Sequence, residues 1–299
     1  MSEEKPDLAA IRHPSEGSRF LITLCVLVPV AIILAIIVMA TFGIALIIVP
    51  FVLFMSWFSL RLFMAWYVNN TVKVTEESFP HVWHAIQEAK DLFTYPERVE
   101  AYVVEDGSYN AAVLPLLRRK YLLINSDLLK PMNNPDETRF IVGRFVGALA
   151  ARHYRFMWFQ VLLNGIQRLA ILNVLLFPYE RAVQLSGDRL GLYFIGGDTA
   201  TAVRALIKSV VGSEVASQVN LASFTQQRVE AGQGFFDWLT RALSRFPHAT
   251  KRVDELIAFG LEAYPEKTEP WLASIDPREP VVARPADHAG SEGYRGVTV

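Results

Sequence analysis

The chain has one cysteine, Cys25. That excludes an intrachain disulfide framework and says little about compartment. Net charge is nearly absent as well: 29 Lys and Arg stand against 30 Asp and Glu, a formal balance of −1. No global field therefore points to nucleic acid as a partner. The third lack is local. Residues 20–60 contain no Asp, Glu, Lys or Arg. The apolar core of a secretory signal runs about 7–15 residues, so this run is far too long to be one.

What is present is apolar. Hydrophobic residues make up 52% of 299, and mean hydropathy is +0.26. The combination suggests a membrane protein before any motif is read. A span needs about 20 residues, so the uncharged run fits two helices, residues 20–39 and 44–64, joined by Thr41-Phe42-Gly43. A long re-entrant or monotopic helix is the alternative. Lys5, Arg12 and Arg19 precede the first helix, Arg61 and Lys73 accompany or follow the second, and the turn carries no charge. The positive-inside rule then puts both ends on the cytoplasmic side. The expectation is an integral membrane protein, of a bacterial cytoplasmic membrane, with its main domain facing the cytoplasm. Residues 1–19, polar and mixed in charge, read as a flexible cytoplasmic tail, and 20–66 as the membrane hairpin.

Beyond the hairpin the pattern is α+β and mainly helical. Strands are expected at 72–74, 99–104, 109–114 and 120–125. The last two form a hairpin across Pro115 to Arg119. An amphipathic helix runs to about Phe93, with Val82, Ile86 and Ala89 on its apolar side. It carries His81, His84 and Glu88, a conceivable metal triad whose bland alternative is a solvated face. Arg118, Arg119 and Lys120 form a basic cluster, read as an exposed turn or a contact for acidic lipid headgroups. Short and long helices follow at 126–130, 138–155, 179–195 and 199–211, with further helix between 213 and 245. Residues 156–177 are very apolar but interrupted by Asn164, Gln167, Arg168 and Asn173. They read as a buried or interfacial helix, with a third span as the alternative. From Pro265 to residue 299 the chain is rich in Pro, Gly and charge, and reads as a disordered tail.

The helix at 138–155 organises the rest. Pro135 and Asp136 are helix-start signals. From Phe140 to Ala151 every residue is apolar or small except Arg144, so the helix should be buried on all sides. Gly143 and Gly147, one turn apart, allow a second backbone to come close. A lone arginine in such a helix needs a partner.

The order of these features resembles the membrane-anchored zinc metallopeptidases of the HtpX and CAAX prenyl protease type. The quoted likenesses are the strand-helix start, the Asn110-Ala111 strand, the central helix, the Asp188-Arg189 helix and the Phe246-Pro247-His248 segment before an Arg-containing helix. The resemblance implies a zincin-type domain over 67–264. In that family the central helix carries His-Glu-x-x-His, two zinc ligands around a general base. Here the aligned stretch is Arg144-Phe145-Val146-Gly147-Ala148. The ligand positions become Arg144 and Ala148, the base becomes Phe145, and the third ligand becomes Gln184. The family's second-shell Asp remains as Asp188.

Arg144 has no lone pair for a metal, Phe145 cannot take a proton, and Ala148 offers nothing. The expectation is therefore no catalytic residue, no metal and no cofactor, with a structural pair Arg144–Asp188 in their place. Glu180 is a second candidate partner for Arg144, and snorkelling to solvent is the alternative. Ser186 lies beside the altered site without a histidine near it in sequence. In active relatives an edge strand holds extended substrate. The equivalent residues here are Tyr109, Asn110, Ala111, Ala112 and Val113.

Three functions remain open. The first is a membrane-anchored pseudopeptidase that binds a protein partner or an unfolded segment. The second is an active zinc endopeptidase of membrane proteins using ligands from elsewhere, His81, His84, His153 and His248 being available. The third is a structural subunit of a membrane complex.

Overall fold

The computed structural model describes residues 6–41, 44–105, 111–116, 119–130, 134–156, 174–221, 223–224, 239–240 and 243–275. The expectations for Tyr109, Asn110, Arg118, residues 157–173, most of 222–242 and the tail beyond residue 275 lie outside the described residues. The described chain is mainly helical with one small mixed sheet.

Helix α1 (Leu8–Ile11) is a single turn capped by Asp7. Helices α2 (Ser15–Ala40) and α3 (Ile44–Asn69) are each long and apolar enough to cross a membrane. Their large side chains point outward and are largely unpacked: Met39 is 80% and Ile47 76% exposed. Pro29 and Pro50 sit inside them.

The sheet holds β1 (Val72–Lys73), β2 (Val99–Val104), β3 (Ala111–Leu116) and β4 (Arg119–Asn125) in the order β1-β2-β4-β3. β2 and β4 run parallel; the outer pairs are antiparallel. The β3–β4 ladder continues through Pro115↔Lys120 to Leu116↔Arg119, so the hairpin link is tighter than the sequence suggested. Side chains alternate between faces, as a pleated strand requires. Val99, Ala101, Val103, Leu122 and Ile124 enter the main core. Tyr102, Tyr121 and Leu123 face the other way and pack on Met64 and Tyr67, at the end of α3. The sheet thus lies against the foot of the second apolar helix.

The main core lies under α4 (Pro80–Leu92), α5 (Pro135–Ala150), α6 (Phe177–Phe194), α7 (Thr199–Val211) and α8 (Ala249–Ala263). α5 starts where Asn134 accepts a hydrogen bond from Asp136 N–H and Pro135 fills the first turn. It is buried from Phe140 through Leu149. α6 approaches it at glycines. A Cβ at Gly143 would meet Phe194 at 2.5 Å, and one at Gly191 would meet the Phe140 carbonyl at 2.8 Å.

Three boundaries differ from the sequence reading. α5 stops at Ala150, not at residue 155, because Arg152 takes a left-handed φ of 58° that breaks the helical path. The stretch 6–19 is not a loose tail: Ile11 joins the core and Glu16 is 5% exposed on α2. α9 (Pro265–Ser274) is helical where disorder was expected, with Thr268 buried on Thr199.

Candidate functional site

Arg144 projects from the middle of α5 toward α6, where Gly187 leaves room for its side chain. Its Nε lies 2.7 Å from Asp188 Oδ1, a close ion pair that is not aligned as a hydrogen bond. Its Nη2 donates to Gln184 Oε1, one turn earlier on α6. α8 brings a second guanidinium, Arg252, which grips Asp188 with two hydrogen bonds, Nε to Oδ2 at 2.9 Å and Nη2 to Oδ1 at 2.8 Å. One carboxylate therefore joins three helices. Asp188 is 2% and Arg144 9% exposed, so both are desolvated.

Two cations around one anion leave an uneven balance. Burial, and then the Arg252 charge, lowers the Arg144 pKa to about 10, with Asp188 opposing both. Arg252 is also penalised by burial, but its two bonds to Asp188 carry its pKa above the ordinary value. Both stay charged near neutral pH. Phe145 and Ala148 are buried apolar groups, and the Arg144 guanidinium lies 5.0 Å from the Phe145 ring centre. The positions that the resemblance would make zinc ligands and base thus hold a guanidinium, a phenyl ring, a methyl group and an amide already bonded to Arg144. Zinc is bound by thiolate, imidazole or carboxylate. The donor set does not fit that metal.

The other named residues are dispersed. Glu180 is not a partner of Arg144; it pairs with Arg245 at 2.8 Å. His81, His84 and Glu88 are exposed on α4, and Glu88 pairs with Arg139 at 2.9 Å. Among the described residues no group of three or more His, Cys, Asp or Glu could hold a metal. His248 precedes α8, exposed. Lys120 of the basic cluster pairs with Glu97 at 3.2 Å. Ala111, Ala112 and Val113 lie on β3, at the sheet edge, with β4 on one side.

A second buried polar group was missed from the sequence. Ser186, fully buried, donates to Glu16 Oε2 at 2.6 Å and accepts the His13 backbone N–H at 2.9 Å. His153 Nε2 lies 3.0 Å from the same Glu16 oxygen. His13 Nε2 lies 3.2 Å from Glu255 Oε2. Burial lowers the His153 pKa, with Glu16 opposing. The order is serine, carboxylate, histidine. A nucleophilic serine needs the imidazole in the middle, so this group is built to hold and not to attack. It clamps the base of α2 to α6, α8 and the end of α5. The only signal for it was Pro14-Ser15-Glu16, a helix start just before the apolar run.

Comparison with known proteins adds no identity to this geometry: no family model, no curated protein and no solved structure matches the chain.

Proposed function

We propose that the chain is a membrane-anchored, non-catalytic domain of metallopeptidase-like ancestry that binds a protein partner or an unfolded segment. The observation that carries this reading is the Arg144–Asp188–Arg252 cluster. In a zincin the metal cross-links two helices through its ligands and lowers the pKa of its bound water to about 7. Here a paired guanidinium cross-links the equivalent helices, and Arg144, Phe145 and Ala148 neither offer a metal a lone pair nor take a proton near neutral pH. The cross-link is retained and the chemistry is not.

The membrane part of the reading rests on α2 and α3, whose apolar surfaces, away from their packed feet, are largely uncovered within the described chain. With both ends of the hairpin cytoplasmic, the α+β body stands on the cytoplasmic surface. β3 is supported behind by β4 and offers its outer edge, the arrangement by which an extended segment adds as a further strand. A photo-cross-linker at Ala112 tests this. Capture of a membrane partner from Ala112, and not from a cross-linker at exposed His84, is expected. Equal capture from both positions would remove β3 from the account.

A further inference from the structure

We propose that Arg19 and Arg155 form a binding site for the phosphate of an anionic phospholipid, at the level where α2 begins its apolar run. The proposal rests on the membrane reading above.

The site is built by three segments that meet at Phe20. The Phe20 ring lies 5.6 Å from those of Phe156 and Tyr179, which are 5.3 Å from each other. This ring cluster ties α2, the residues after α5 and the first turn of α6 into one platform. Arg155 stacks on it, its guanidinium 4.4 Å from the Phe20 ring centre. Arg19 immediately precedes Phe20 on α2. Tyr179 brings its hydroxyl beside Arg155, with no well-aligned hydrogen-bond partner among the described residues.

Among the described residues, the carboxylates Glu16 and Glu180 of the flanking helices are engaged elsewhere. Glu16 serves Ser186, His153 and Arg12, and Glu180 serves Arg245. Among the described residues, Arg19 and Arg155 have no carboxylate partner. The site is therefore an excess of cations on an aromatic base. Arginine matches a phosphodiester through paired N–H donors. Directly beyond it on α2, Leu21, Leu24 and Val28 are exposed at helical spacing, 59%, 39% and 48%. That stripe suits an acyl chain and not a free anion. A headgroup above and a chain below describe one ligand.

The test uses the full chain, purified in detergent and titrated with short-chain phosphatidylglycerol, phosphatidylcholine or inorganic phosphate under native mass spectrometry. Saturable retention of phosphatidylglycerol alone is expected. An arginine near an anionic surface contributes about fivefold in affinity. Arg19→Gln should thus weaken binding about fivefold and the Arg19→Gln/Arg155→Gln pair about 25-fold. Lys267→Gln, on α9, should leave it unchanged. Arg19→Lys/Arg155→Lys keeps charge without the fork and should fall between. Equal retention of phosphatidylcholine, binding unchanged in the Gln pair, or inorganic phosphate competing as strongly as the lipid would overturn the site. Alkaline carbonate extraction of membranes separates the two levels. Release of the chain would overturn the membrane reading and the site together. A chain that stays with the membrane but shows no phosphatidylglycerol selectivity would overturn the site alone.

Discussion

Arg144 Nε and Asp188 Oδ1 sit 2.7 Å apart across the α5–α6 interface, and Arg252 reaches the same carboxylate from α8. A buried anion shared by two cations makes the three helices interdependent. Removing one partner of a buried pair costs about 3–5 kcal/mol, largely because the other charge is left unpaired.

Asp188 should therefore matter more than either arginine. Asp188→Asn leaves two buried guanidinium groups without an anion, and should lower the melting temperature by about 10 °C. Arg144→Met leaves Asp188 with both Arg252 bonds, and should cost less than half of that. Thermal unfolding of the detergent-purified chain measures both. Equal losses would mean that Arg252 does not support Asp188 in the absence of Arg144.

Close packing of α5 on α6 predicts a second difference. Gly191→Ala would place a Cβ 2.8 Å from the Phe140 carbonyl, and the helices must separate. The expected loss is about 1–3 kcal/mol, the range for overpacking. Gly17→Ala on α2 has nothing within 4 Å and should not destabilise. Chemical unfolding midpoints of the two variants decide it.

Stability should fall as pH drops below neutrality. Burial lowers the pKa of His153 and of His13 from 6.5. A histidine whose folded pKa is depressed binds fewer protons folded than unfolded. Its contribution is complete above about pH 6.5 and is lost as pH falls through the folded pKa. The groups that face His153 are Glu16, which opposes the shift, and Arg12 and Arg155, which add to it. His153→Asn should flatten part of the slope between pH 7.5 and 5.5, and His13→Asn the remainder. A slope unchanged in the double variant would assign the effect to other groups.

The clamp at the foot of α2 gives a fourth expectation. Ser186→Ala removes an acceptor from the part-buried His13 backbone N–H and a donor from buried Glu16. Unsatisfied buried groups cost about 1–3 kcal/mol each. The loosened segment is 6–15, so limited proteolysis there should accelerate several-fold, while cleavage beyond residue 243 should not. Uniform acceleration would indicate global unfolding instead.

Several of these elements can be read in the residues. A charge-free run of that length dictates two apolar helices, and glycines one turn apart dictate close helix packing. The lone Arg144 in an apolar helix called for a buried anion, and Asp188 lies beside it. Other contacts were invisible for physical reasons. Glu16 sits in a polar stretch, and its partners Ser186 and His153 are far away in sequence. Arg252 lies among ordinary helical charges, and nothing local marks it as a second cation on Asp188. The end of α5 depends on one left-handed residue, Arg152, which is neither Gly nor Asn. The expectation of a loose tail took polarity for disorder over 6–19, which Ile11 and Glu16 anchor.

The central claim is that a paired guanidinium occupies the place of a catalytic metal. The most direct test is metal content of the detergent-purified full chain by mass spectrometry, with cleavage of casein and a membrane substrate assayed on the same sample. The account predicts no stoichiometric zinc and no cleavage, with or without added zinc. One zinc per chain together with chelator-sensitive cleavage would contradict it.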